Sequence, residues 1–311
     1  MEADVINLQG KNAEPEPLRS APCFFDVMEP DAQAAACACI LAFGPANGTT
    51  RDTRGIRRRS FRVPSGPGGA LEGPLWKYVK HPYGISVGLY DHFAIFETPD
   101  VLLFAFRGTD FYDAQRLLGR ELRHSTDEVK IEMASWTDML RSCAKREDLG
   151  QMSDCNANHY IAMKSEELSP LHNACRTAFE HYVTHTRRHF GRRRVIVAGA
   201  SLGGSLAAYV ARPGEKIYLF SPAGTMGPKP SWIRAHHRDI QSYRETFDIV
   251  SLSTTSWWPT ISATMLESSP NKRLMFHALQ TFMCDTRYRI LVQQERDEPI
   301  DTRVISLQLT E

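Results

Sequence analysis

The residues of this chain best suited to covalent chemistry are those of Gly199-Ala200-Ser201-Leu202-Gly203, a serine flanked at two places on either side by glycine. Val195 to Val197 precede it as an apolar run and predict a buried strand, while Ser205 to Tyr209 predict the apolar face of a helix. Ser201 therefore falls in a strand-to-helix turn. Glycines at those two places let strand and helix approach while the serine takes strained dihedrals and projects its hydroxyl away from the sheet. The backbone N–H of Leu202, at the start of the helix, faces the same space, and together these groups begin an acyl-transfer site.

A serine hydroxyl attacks only after a base removes its proton, and a third group must orient that base. In sites of this type the chain order is serine, acid, histidine. His277 is the one histidine beyond Asp248, and Asp248 stands where an apolar strand in "TFDIVS" opens into a loop. Asp239, Glu245, Glu267 and Asp285 compete for the acid role. A second chemical feature lies upstream, where the apolar run Val101 to Phe106 passes directly into Arg107-Gly108-Thr109-Asp110. A Gly-Thr turn there places backbone donors beyond the edge of the sheet at which ligands of open α/β sheets collect. Arg107 is expected to pair with an acid instead of touching substrate.

The elements that must hold these groups follow from periodicity. Phe93 to Glu97 and Val101 to Phe106 read as two strands joined by a short turn, the second apolar throughout and hence central in a sheet. Ser169 as N-cap and Pro170 as first helical residue open a helix expected to run through His185, with Leu171, Cys175, Ala178, Phe179 and Tyr182 as its buried stripe. Lys216 to Ser221 and Ser242 to Phe247 read as further strands, Leu274 to Val292 as helical, and Val304 to Leu309 as a terminal strand. Asp31 to Phe43 suits a helix begun by Asp31 and packed by alanine and cysteine. Arg51 to Arg62, with six arginines, reads as a solvated loop or a basic patch for phosphate groups, and Val63 to Pro74 has turn composition throughout. Residues 1 to 20 read as a poorly ordered tail, and 111 to 168 as short helices and loops with a cover over the site.

Strand and helix alternate over enough of the 311 residues to predict an α/β domain with a mostly parallel sheet at residues 76–311, preceded by an N-terminal extension at 1–75. Lysine plus arginine number 37 against 36 acids, so no global field draws nucleic acid to the chain. The seven cysteines form no CxxC and read as free thiols of a reducing compartment. The N-terminus has neither the basic head nor the apolar core of a signal peptide, and no apolar run is long enough to span a membrane. The expected location is the cytoplasm, or delivery without a classical signal.

The motifs "FAFRGT", "GASLGG" and "FDIV" resemble three signatures of the class 3 (fungal-type) lipase family, and "YLFSPAG" is similar to that family's strand leading into a Ser-Pro turn. The likeness covers roughly residues 93–282. It departs at Ala200, where histidine is common in the family, at Ser251, where proline is, and in the 29 residues separating Asp248 from His277. The resemblance implies an α/β-hydrolase fold and hydrolysis of carboxylic esters of lipids, as a lipase or phospholipase, with transient contact at a membrane surface. It implies Ser201 as nucleophile, Asp248 and His277 as its partners, and Thr109 and Leu202 as oxyanion-hole donors. Trp257 and Trp258 form an aromatic pair suited to an acyl groove and equally to core packing. This chemistry calls for no metal or organic cofactor. Two other readings stand beside it: a non-catalytic binding or scaffold protein on the same fold, and an acyltransferase using the same serine.

Overall fold

The computed structural model describes residues 24–46, 56–65, 70–109, 152–163, 167–224, 231, 240–245, 248–252 and 262–266. Helices α1 (Phe24–Val27) and α2 (Pro30–Leu41) come first, then strands β1 (Phe61–Ser65) and β2 (Ala70–Tyr78) and the short helix α3 (Val87–Tyr90). Strands β3 (Phe93–Glu97) and β4 (Val101–Phe106) lead toward α4 (Asp154–Met163) and α5 (Pro170–Phe190). Then follow β5 (Arg194–Ala200), α6 (Leu202–Val210), β6 (Lys216–Phe220), β7 (Ile240–Glu245), α7 (Ile249–Leu252) and β8 (Ser262–Leu266).

The eight strands lie side by side in chain order. β1 to β4 are joined antiparallel, and β4 to β8 run parallel. Parallel strands need helical crossovers and bury both faces, which is why β4, "VLLFAF", is buried at every residue. α6 packs on β4, β5 and β6, while α2 packs on β3, β4 and β5. α5 meets the sheet through Phe179 and Tyr182, whose rings stand edge-on to Phe104 at 4.7 and 5.8 Å. The chain thus has an α/β fold of the hydrolase type, a central mostly parallel sheet flanked by helices with a strand–serine–helix elbow at its middle.

Several expected elements are present. β3 and β4 have the expected bounds, and α5 begins with Ser169 as N-cap and Pro170 within its first turn. Its expected stripe is buried. α2 starts at Pro30, with Glu29 in the cap position, because proline needs no amide partner at the first helical residue and Asp31 instead pairs with Arg194. Its alanines and cysteines are buried on all sides, as a helix without a polar face must be. β7 lies two residues earlier than expected, ending at Glu245.

The stretch Arg51 to Pro74 requires correction. Its described part is not turn and solvated loop: Phe61 and Trp76 are partnered across β1 and β2, and Phe61, Trp76 and Tyr78 are buried. Of the Gly and Pro residues that suggested turns, Pro64 sits inside β1, and Gly73, with φ of 75°, and Pro74 sit inside β2. Arg58 is 2% exposed. Its guanidinium donates to the carbonyls of Tyr90 (2.6 Å), Phe93 (2.8 Å), Ala42 (2.9 Å) and Asp91 (2.9 Å). Ala42 is the C-cap of α2 and Asp91 that of α3, so one side chain satisfies carbonyls that two helix ends leave without intrahelical donors. Burial lowers the Arg58 pKa, and the neighbouring Tyr78, Tyr90 and Asp91 act in the opposite direction.

Candidate active site

β5 delivers Ser201 in a conformation that residues other than glycine rarely adopt, with φ of 54° and ψ of −124°. Such strain costs about 1–3 kcal/mol and persists only where its surroundings enforce it. Here the Ser201 N–H donates to Phe220 O at 3.0 Å, and Ser201 O accepts from the amides of Gly204 and Ala223, each at 2.9 Å. The two motif glycines admit no side chain: a Cβ on Gly199 would stand 1.9 Å from Gly203 O, and one on Gly203 would stand 2.3 Å from Phe106 O. Helix α6 therefore starts directly against the end of β4, and Leu202 is its first residue, where amides have no intrahelical acceptor.

The end of β4 brings the Gly-Thr turn to the serine. A Cβ on Gly108 would lie 3.1 Å from Ser201 Cβ and 3.2 Å from Ala200 O, so the two turns touch. Thr109 is buried, and its Oγ1 accepts a hydrogen bond from Asn158 Nδ2 at 2.8 Å. Arg107 pairs with an acid as expected: Nη1 lies 2.6 Å from Asp154 Oδ2, while the same nitrogen donates to Gly108 O at 2.9 Å and Nε donates to Asp91 O at 2.7 Å. Asp154 also meets His92 Nδ1 at 3.0 Å.

Asp248 follows β7, and the parallel register puts it at the same edge of the sheet. Phe106 faces Gly199, Ala200 faces Phe220 and Phe220 faces Tyr243, so the segments after β4, β5, β6 and β7 all emerge on one side. Asp248 is fully buried, and its Oδ1 accepts from the amides of Val250 (2.9 Å) and Ser251 (3.3 Å) at the start of α7. A carboxylate has two oxygens with about four acceptor sites, so capping a helix through one leaves the acid role chemically open. Arg244, buried beside it, has its pKa lowered by desolvation, and the charge of Asp248 acts in the opposite direction.

Ser201, Leu202, Gly108 and Thr109 are therefore adjoining, and Asp248 shares their edge. His277, Trp257 and Trp258 lie outside the described residues, as do Asp239, Glu267 and Asp285, the helix expected at 274–292, the strand expected at 304–309, the N-terminal tail and most of the stretch 111–168 in which a cover is expected. Asn158 and Asp154, on α4, were not foreseen, because no local pattern relates them to a turn some fifty residues earlier.

His172 was also missed. It is buried in the first turn of α5, with Nδ1 2.7 Å from Ser169 Oγ and Nε2 2.8 Å from Ser205 Oγ on α6. Serine hydroxyls both donate and accept, so the neutral ring is satisfied in either tautomer. Burial lowers its pKa from 6.5 to about 3. The folded ring stays neutral while the unfolded ring binds a proton below pH 6.5, so stability is held above that value and falls as pH drops toward about 3. The expected slope is at most about 1.4 kcal/mol per pH unit from this group. Urea midpoints of wild type and His172→Gln between pH 7 and 5 test it: the wild type should lose more stability than the variant, and parallel losses contradict the assignment.

Among the described residues no group of three or more His, Cys, Asp or Glu is arranged to hold a metal ion, and no helix is long and apolar enough to cross a membrane. Cys37, Cys39 and Cys175 are free and buried, and burial raises each thiol pKa.

No protein-family model matches the chain, and no curated protein matches it. Solved structures similar at low level include these two. TT1662 from Thermus thermophilus shares 13% identity at a TM-score of 0.26, over 43% of this chain and 68% of its own. A protein provisionally described as a hydrolase of the alpha/beta superfamily, from Xanthomonas campestris pv. campestris, shares 16% identity at a TM-score of 0.26, over 60% of this chain and 88% of its own. Likeness of that degree adds nothing to the fold, which rests on strand order and the elbow. The resemblance to class 3 lipases accordingly remains one of motifs.

Proposed function

We propose that this chain is a serine hydrolase of carboxylic esters, with lipid esters as its substrate class, working through an acyl-enzyme on Ser201. The observation that carries the reading is the strained Ser201 backbone, held by hydrogen bonds to the backbone of Phe220, Gly204 and Ala223 and set against the Gly108-Thr109 turn. A serine kept in such a conformation at the mouth of a parallel sheet is difficult to account for by packing alone.

In the proposed sequence Ser201 Oγ attacks the ester carbonyl while His277 takes its proton, and Asp248 keeps that imidazole in the useful tautomer. The N–H groups of Thr109 and Leu202 meet the charge that develops on the carbonyl oxygen. The imidazolium then protonates the leaving alcohol, and water, activated by the same base, releases the acid and restores the serine. The preference for lipid esters comes from the motif resemblance.

A panel of phospholipids, glycerides and short soluble esters, each incubated with and without a competing alcohol, tests the reading. Free fatty acid as the main product supports hydrolysis, whereas a new ester of the added alcohol assigns the same serine to acyl transfer. Folded protein that turns over no ester of either kind contradicts the enzyme assignment and favours a scaffold.

A further inference from the structure

We propose that Asn158 is a positioning residue of the acyl-transfer site, fixing the Thr109 hydroxyl as a third donor to the oxyanion; the inference rests on the reading of Ser201 as nucleophile. Both side chains are buried, Asn158 at 2% exposure and Thr109 at 3%, so water does not compete for the bond between them. An amide Nδ2 only donates. By donating to Thr109 Oγ1 at 2.8 Å it occupies an acceptor site of the hydroxyl and leaves the threonine's own proton to be donated elsewhere. The backbone beside that hydroxyl is the turn that touches Ser201.

α4 grips the rest of the turn through the same helical face. Asp154 stands four residues before Asn158, the spacing that puts two side chains on one side of a helix. It accepts from Arg107, and Arg107 in turn donates to Gly108 O. Arg107, Gly108 and Thr109 are thus each tied, directly or through one neighbour, to a single turn of α4. A side chain serving only to fill the core would have no need to choose the one hydroxyl next to the oxyanion amide.

Losing one preorganised oxyanion donor lowers kcat by about 10²- to 10³-fold. Thr109→Val, which keeps the backbone N–H and removes the hydroxyl, is expected to show about a 10²-fold loss. Asn158→Leu frees the hydroxyl to turn, and is expected to lower kcat by about 10-fold or more with KM changed by less than about twofold. Because Asn158 acts through Thr109, the double variant should be no slower than Thr109→Val alone. Asn158→Asp, close in shape and so the variant better placed to fold, can only accept when ionised; it draws the Thr109 proton to itself and should lose kcat as Asn158→Leu does. Wild-type kcat in either folded Asn158 variant, or losses that multiply in the double variant, overturns the proposal and leaves Asn158 a packing residue. Turnover by wild-type protein that Ser201→Ala does not diminish overturns instead the reading on which it rests.

Discussion

Replacing Ser201 with alanine is expected to lower ester turnover by about 10⁴- to 10⁶-fold, with no loss of thermal stability. The chemical part follows from the proposed role, since alanine offers no atom to form the acyl bond and the oxyanion amides alone retain only a small residual rate. The stability part follows from the structure. Alanine keeps the Cβ, so the strain at φ of 54° is unchanged, and the amide and carbonyl bonds to Phe220, Gly204 and Ala223 are made by backbone. Initial rates on the best ester of the panel, measured beside melting temperatures, check both parts. A variant keeping more than about a hundredth of wild-type turnover contradicts the covalent role, because removal of an attacking nucleophile costs far more.

The second large effect concerns folding. Arg58→Met is expected to destabilise the protein by about 4 kcal/mol or more, as four carbonyls lose charge-assisted donors, three of them in bonds buried from water. Those carbonyls belong to the ends of α2 and α3 and to β3, so the loss loosens the layer beneath β4, from which the Gly108-Thr109 turn emerges. Arg58→Lys should recover less than half, since an ammonium has three donors on a flexible stem and cannot reproduce a planar fork that makes four bonds. Urea midpoints for the three proteins measure this, and a change below about 1 kcal/mol in Arg58→Met contradicts the role given to the guanidinium.

Arg58 also shows where sequence reading stops. Its run of arginines has the composition of a solvated loop, and nothing local distinguishes it from Arg57 or Arg59; its burial is set by carbonyls that arrive from three other elements. β1 and β2 were hidden for a related reason. Trp76 and Tyr78 point inward with Lys77 outward between them, a legible alternation, but Gly73 and Pro74 immediately before it signal a turn that the strand instead absorbs. Where the local pattern and the tertiary demand coincide, the reading succeeds. β4 is apolar because both its faces are covered, α5 opens with a serine cap and a proline, and the elbow needs glycines where strand, helix and the end of β4 leave no room for a methyl group.

The site divides along the same line. Ser201 and its glycines were legible because steric demand and motif are the same fact. Asp248 was legible as a residue lying beyond a strand, although the end of that strand at Glu245 and the capping of the following helix were not. Asn158, Asp154 and His172 act through partners distant in the chain, and no periodicity announces such pairs. His172 in particular stands outside the apolar stripe that the helical period marks, yet it links the cap of α5 to the elbow helix.

The most direct measurement of the central claim is reaction of the folded protein with an organophosphonate ester, followed by mass analysis of its peptides. Attack by an activated serine joins Oγ to phosphorus, expels the leaving group and gives a stable adduct that resembles the tetrahedral intermediate. The account expects one adduct, on the peptide containing Ser201, and none in Ser201→Ala. Folded wild-type protein that stays unmodified, or carries its adduct on another residue, contradicts it.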